Sequence, residues 1–220
     1  MDLILKIFFN PDEALKNIKE KKPLAVPFII LIIVTLIISL FYIQFVILPN
    51  RETLLMEREI PEEALQKTLE FFNSPLFYVF TLISAIFGFV FSTLIIGFIY
   101  FFISILLKGK GDFLAFFSSA VHIYAISLLG SIIAFPIAIL KNSPYVNLDF
   151  SLFFMFLPEK NFLRVFFEQA GFFTLWSVFL YGLALHHIGE IERKKGILVS
   201  FSMWFIYAVI ATIIKVFLKT

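Results

Sequence analysis

Five apolar runs, parted by short polar stretches, organise the chain: about 24–48, 76–107, 113–140, 171–189 and 196–218. A helix needs about 20 apolar residues to cross a hydrocarbon core of about 30 Å. At about 1.5 Å per residue the first run is roughly 37 Å long and the second roughly 48 Å. The second must therefore tilt, protrude or bend, with Gly88 and Gly97 as bend points, and it counts once. Pro136 interrupts the third run late. The pattern predicts an all-α, polytopic integral membrane protein, one domain over 1–220, built as a bundle of five transmembrane helices with short amphipathic interfacial helices.

Ahead of the first run, 1–22 reads as an amphipathic segment. Leu3, Ile4, Ile7 and Phe8 share one face of a short helix. Asn10 then supplies an N-cap, Pro11 suits the first helical position and Glu13 completes the capping pattern. In the helix that follows, Ala14, Leu15 and Ile18 face one way, while Lys16, Lys19, Glu20 and Lys22 face water. Two placements fit equally well. One is an interfacial helix on an anionic leaflet, anchored by Ile7, Phe8, Lys16 and Lys19; the other is a helix packed across the ends of the spans.

The polar connections carry weaker signals. Residues 50–74 are acid-rich, and Pro61 followed by two glutamates predicts a helix start outside the membrane. No EF-hand spacing is present, so these glutamates read as a solvated face rather than a cation site. Lys108, Gly109, Lys110, Gly111 and Asp112 form a tight turn whose Gly-Lys-Gly lacks the strand and full pattern of a phosphate loop. Within 141–170 the apolar patch 150–157, closed by Pro158, is too short to span and is expected to dip into the interface or cap the bundle.

Composition agrees with the pattern. The chain is 60% hydrophobic with 32 phenylalanines, and its mean hydropathy is +0.97, against about 45–50% apolar residues in soluble domains. A formal net charge of +2 implies no nucleic-acid partner. The absence of cysteine excludes disulfides, thiolate nucleophiles and thiolate-bound metals. The first run is too long for a signal-peptide core and reads as an uncleaved span. Of the 18 Lys and Arg, ten fall in the N-terminal segment, the 108–112 turn and the 193–195 run, and eight on the other side. The ten sit in shorter segments close to the spans, so the positive-inside rule predicts a cytoplasmic N-terminus and an external C-terminus.

Two groups of residues are candidates for chemistry. On the third run Ala115, Ser119, His122, Ser127, Gly130 and Ala134 share an arc of roughly 140° at about 100° per residue, a surface of small residues suited to close helix packing. A polar intramembrane face of His122, Ser127, Ser177 and Tyr181 could instead line a pathway; packing is the preferred reading. His186, His187 and Glu190 project within one arc and could hold a metal, but the order lacks the His-Glu-x-x-His of zinc peptidases. An interfacial polar cluster, pairing a histidine with Glu190 and with Arg193 or Lys194, is preferred. No serine has a nucleophile-elbow context. No catalytic residue and no cofactor is expected.

Three stretches carry a family resemblance: FFNPDEALKNIKEKKPLAVPFII at the start, IPEEALQKTLEFFNSP before the second run, and FTLWSVFLYGLALHHIGEIERKKGILV across the fourth and fifth. Together, in order, they resemble the bacterial branch of the Yip-domain (Ypt-interacting protein) family. The resemblance implies five transmembrane helices in a bacterial cytoplasmic (inner) membrane, a cytoplasmic N-terminus and no established catalytic activity. Eukaryotic relatives interact with Rab-type GTPases through a longer cytosolic N-terminal region; this chain has 23 residues before its first run and lacks the Asp-Leu-x-Gly-Pro signature, so the GTPase partner does not carry over. Many bacterial members have an acidic residue where this chain has Gly171, and its role does not carry over either.

The expectation from sequence is thus a non-enzymatic adaptor or organising factor for other membrane proteins or the bilayer. Its partners would be membrane lipids, other membrane proteins and further copies of itself. A small-molecule or lipid conduit ranks second, and a metalloenzyme using His186, His187 and Glu190 third.

Overall fold

A computed structural model describes residues 2–56, 62–144, 146 and 148–218. Ten α-helices are found among them: α1 Asp2–Phe9, α2 Pro11–Lys21, α3 Ala25–Tyr42, α4 Arg51–Met56, α5 Glu62–Phe72, α6 Pro75–Leu106, α7 Phe113–Lys141, α8 Phe162–Glu168, α9 Phe172–His187 and α10 Arg193–Ile213. Single π-turns extend α3 over Ile43–Ile47 and α10 over Ile214–Leu218, and a 3-10 turn covers Phe150–Phe154. The described residues form no named strand; Asp149 and Gly171 make one isolated antiparallel bridge. Of the expected features, Glu57, Arg58, Glu59, Pro61 and Lys219 lie outside the described residues.

Four helices are long and apolar enough to cross a membrane: Ala25–Ile47, Pro75–Leu106, Phe113–Lys141 and Arg193–Phe217. The expected fourth span, 171–189, is not among them. It forms α9, whose 16 residues reach only about 24 Å at about 1.5 Å per residue. Polar positions Thr174, Ser177, Tyr181, His186 and His187 dilute it, and much of it is interior: Leu180, Leu183, Ala184 and Leu185 are fully buried. The last long helix begins at Arg193 rather than Gly196, so the basic run forms its first turn. Pro136 is accommodated within α7.

Lipid tails supply no hydrophobic drive between helices, so small residues that admit close backbone approach decide where membrane helices cross. Glycines mark three crossings here. A Cβ on Gly97 of α6 would lie 2.8 Å from the Phe117 Cα of α7; one on Gly130 of α7, 2.9 Å from the Phe173 ring of α9; one on Gly182 of α9, 2.7 Å from the Ile197 Cα of α10. Gly97 is therefore a contact point, and α6 runs through it without interruption for 32 residues. α7 packs against α3, α6 and α9, and α10 closes against α9 on the far flank.

α1 and α2 form a hairpin joined as the sequence indicates. Asn10 Oδ1 accepts from the Glu13 N–H at 3.4 Å, and its Nδ2 donates to Glu13 Oε2 at 2.8 Å. Of the two placements expected for it, the hairpin takes the packed one. Ile7, Leu15 and Ile18 are fully buried, and Phe8 meets the Trp176 ring edge-on at 5.8 Å. Lys16 is exposed.

The 142–171 connection folds back along the bundle. Phe154 stacks on Phe167 of α8 at 4.4 Å, and Phe166 packs on Trp204 of α10. The Trp204 Nε1–H donates to Gln169 O at 3.2 Å, and Lys215 pairs with Glu168. The apolar patch expected at 150–157 supplies the 3-10 turn, with Phe153 and Phe156 exposed.

Candidate functional site

Two regions concentrate the polar groups, and the first is the end of the bundle that carries the N-terminal hairpin. There α2, the 107–112 turn and the 188–192 turn meet. Asp12 accepts from His187 Nε2 at 2.6 Å and pairs with Arg193 at 3.2 Å. Lys19 and Lys110 grip Glu190 at 2.8 and 3.1 Å, and Lys22 reaches Asp112 at 2.7 Å. Beneath these pairs the turns share backbone: Lys110 N–H donates to Gly189 O at 3.0 Å. A Cβ on Gly109 would stand 2.5 Å from that same oxygen, and one on Gly111 2.9 Å from Ile188 O. Close turn packing accounts for both glycines of Gly-Lys-Gly.

The electrostatics follow from these contacts. Burial would raise the Asp12 carboxyl, but the His187 hydrogen bond and the Arg193 charge outweigh it and hold the group below its ordinary value. Burial is likewise outweighed at Asp112, by Lys22 and the Ala115 N–H it caps. Glu190 is lowered by its hydrogen bonds to Lys19 and Lys110. The expected trio is thereby divided. His187 turns to Asp12, His186 Nδ1–H donates to Ile191 O at 2.8 Å, and Glu190 turns to two lysines. Among the described residues no group of three His, Cys, Asp or Glu could hold a metal. Asp12 is the partner that sequence reasoning missed, because it lies 175 positions from His187.

The second region is a cleft of about 530 Å³ between α6, α7, α9 and α10, lined among others by Tyr100, Tyr124, Ser127, Thr174, Ser177, Tyr181 and Trp204. Three of the four residues expected on a polar intramembrane face meet here: Ser127, Ser177 and Tyr181. His122 does not line it. It is 1% exposed, with its Nδ1–H donated to Ser118 O at 2.7 Å. The small-residue arc of α7 thus splits. Ala115, Ser119 and His122 are packed, whereas Ser127 faces the cleft.

Tyr100 and Tyr181 stack at 4.7 Å, and Tyr100 OH hydrogen-bonds Ser200 Oγ at 2.6 Å, which donates onward to Val178 O. A neighbouring recess of about 300 Å³ shares Ser127 and Thr174, and adds Asp149, Glu168 and Gly171. The sequence did offer a signal. Among 32 Phe there are only 7 Tyr, and four of these, Tyr100, Tyr124, Tyr181 and Tyr207, line the cleft. A tyrosine inside an apolar run marks a hydroxyl that needs a partner.

The Yip1 domain profile matches residues 5–214, nearly the whole chain. The chain belongs to the Yip1 domain family. It is a multi-pass membrane protein of that family, consistent with its four long apolar helices. No curated protein and no solved structure matches it.

Proposed function

We propose that this Yip1-domain protein is a non-enzymatic adaptor or organising factor that docks a transmembrane helix, from another membrane protein or a second copy, against α6. One observation carries this reading. Every other helical glycine has a neighbour within 3 Å of its hypothetical Cβ, whereas Gly88 has nothing within 4 Å. Ser84 and Ser92 stand one turn to either side, giving the small-xxx-small spacing that lets helices approach in lipid. Among the helices of the described residues glycine goes where another helix crosses, and Gly88 is the crossing without an occupant among those residues.

The same reading has five passes, with the N-terminus in the cytoplasm of a bacterial inner membrane and the C-terminus outside. α7 and α10 both begin at the hairpin end, so the chain must return across the bundle between 141 and 193. α9, helped by the folded-back 142–171 connection, makes that return as a short fourth pass. The conduit alternative draws on the cleft, but His122 is not on its walls, which favours a binding site over a path.

The absence of cysteine permits a clean test. Single cysteines at Ser84 and Gly88, crosslinked in native membranes, should give adducts to another protein or another copy. A cysteine at Ile132, an exposed position of α7, should give few. Equal adducts at all three positions, or none at 84 and 88, would sink the proposal.

A further inference from the structure

α6 and α10 meet through the Tyr100–Ser200 hydrogen bond near the hairpin end, and the cleft of about 530 Å³ opens between them. Exposed Ile99 and Tyr207 stand on its walls, so the lipid phase has access to it. Its volume falls within the range of about 300–1,000 Å³ typical of small-molecule sites.

One buried hydroxyl on these walls is left over. Tyr100 OH is bound to Ser200, and Tyr124 turns its own to Thr35. Thr93 and Ser177 return theirs to backbone carbonyls four residues back, at 2.8 and 2.9 Å. Ser127 and Thr174 are exposed, where the cleft meets the neighbouring recess. Tyr181 is only 9% exposed, yet its hydroxyl makes no hydrogen bond among the described residues. That hydroxyl is not sealed off either: among those residues Ser104 Oγ is the one fully enclosed side-chain polar atom without a partner. The access left to the Tyr181 hydroxyl is therefore into the cleft it lines. An O–H unpaired in hydrocarbon is costly, so the occupant must bring an acceptor.

The rest of the wall narrows the chemistry. Among the described residues no Asp, Glu, Lys, Arg or His lines the cleft, and an uncompensated charge in hydrocarbon is expensive. The occupant is therefore uncharged. Tyr181 stacks on Tyr100 at 4.7 Å with 18° between the rings, and Trp204 of α10 also lines the cleft, its Nε1–H already donated to Gln169 O. Aromatic walls of this kind favour a planar ring by stacking.

Depth separates the sources of such an acceptor. Both ends of α9 are charged: His187 pairs with Asp12 at one, and Glu168 pairs with Lys215 beside the other. At about 1.5 Å per residue, Tyr181 stands roughly 14 Å from the start of α9 and roughly 9 Å from its end. The ester carbonyls of a glycerolipid are tied to its backbone at the polar interface. A quinone carries its carbonyls on a hydrophobic ring with no polar anchor, and can bring one to that depth.

We propose that the cleft binds the ring of a membrane quinone, one ring carbonyl accepting from the Tyr181 hydroxyl and the tail leaving between α6 and α10. This rests on the cleft and is independent of the Gly88 surface. The test titrates the whole protein in detergent micelles with a benzoquinone bearing a decyl tail. Trp204 fluorescence, which a quinone ring quenches at contact, is read in a Trp176→Phe parent. Quenching should saturate at one quinone per chain. Adding Tyr181→Phe keeps the ring that stacks on Tyr100 but removes the donor, and should weaken binding by roughly tenfold. Decylbenzene, with the same tail and no carbonyl, should displace the quinone from the parent only at roughly tenfold higher concentration than unlabelled quinone needs. Dioleoylglycerol, an uncharged lipid whose carbonyls are esters, should not displace it. Tyr181→Phe removes a hydroxyl without a partner, so its melting temperature free of quinone should match the parent's, which separates lost binding from misfolding. Absence of saturable quenching, equal affinity in folded Tyr181→Phe, or displacement by decylbenzene or dioleoylglycerol as readily as by quinone would overturn the proposal.

Discussion

Replacing Asp12 with alanine tests what holds the N-terminal hairpin to the bundle. The carboxylate accepts from His187, whose side chain is 7% exposed, and pairs with Arg193, which is 50% exposed. Without Asp12 the imidazole N–H is left in a nearly closed site, at a cost of about 1–3 kcal/mol. The exposed Arg193 pair adds at most about 1 kcal/mol. Asp12 is itself 37% exposed, so water repays part of the loss, and a net of about 1–2 kcal/mol is expected, a factor of roughly 5–30 in the undocked population.

Trypsin reads that population through cleavage at Lys16, Lys19, Lys21 and Lys22 of α2, which needs local opening. Asp12→Ala should speed cleavage there by roughly 5–30-fold, and Arg193→Ala by much less. Adding His187→Ala to Asp12→Ala should cost less than the sum of the two single changes, because they remove one shared contact. A rate within twofold of wild type for Asp12→Ala would mean that Ile7, Leu15 and Ile18 alone secure the hairpin.

Three further outcomes follow from the same contacts. Asp12 and Asp112 lie below 3.8 and Glu190 below 4.5 in the folded chain; depressed carboxyls contribute stability that is complete above the unfolded values and lost as pH falls through the folded ones. Burial also holds His187 below its ordinary value, a contribution lost as pH falls from the unfolded value of about 6.5. Trp176 fluorescence in a Trp204→Phe variant, reporting the Phe8 contact, should therefore begin to change below about pH 6.5 and change further below about pH 4; a signal flat down to about pH 4 would show that His187 does not hold the hairpin. Gly182→Leu must force α9 from α10, since its Cβ would meet backbone at 2.7 Å, and should destabilise by about 1–3 kcal/mol, whereas Gly88→Leu should leave the melting temperature in detergent unchanged. Tyr100→Phe keeps the ring stacked on Tyr181 but removes the bond to Ser200, at about 0.5–1.5 kcal/mol in the same melt; no change would show that this link does not join α6 to α10.

Hydropathy located the three longest runs to within a residue or two, because α3 with its π-turn, α6 and α7 are almost uninterruptedly apolar over 23, 32 and 29 residues. It did not reveal how short α9 is: its 16 residues fall below the length at which a helix counts as a candidate span. Capping at Asn10 was legible because it is local. The ion pairs of His187 and Glu190 were not, since their partners come from α2 and the 107–112 turn, brought near only by the tertiary fold. Ser127, Ser177 and Tyr181 stood out as polar atoms in apolar runs. Asp149 and Glu168 passed as ordinary loop charges until the connection was seen to fold back on α10.

The five-pass arrangement requires Lys16, Lys110 and Lys194 on one side of the membrane, and Lys67 and Glu159 on the other. All five are exposed, and each can be replaced singly by cysteine without background thiols. Labelling sealed, oriented vesicles with a membrane-impermeant maleimide should modify the first three from one face and the last two from the opposite face. Labelling of Lys110→Cys and Lys194→Cys from opposite faces would mean that α9 does not carry the chain back across, and would contradict the arrangement.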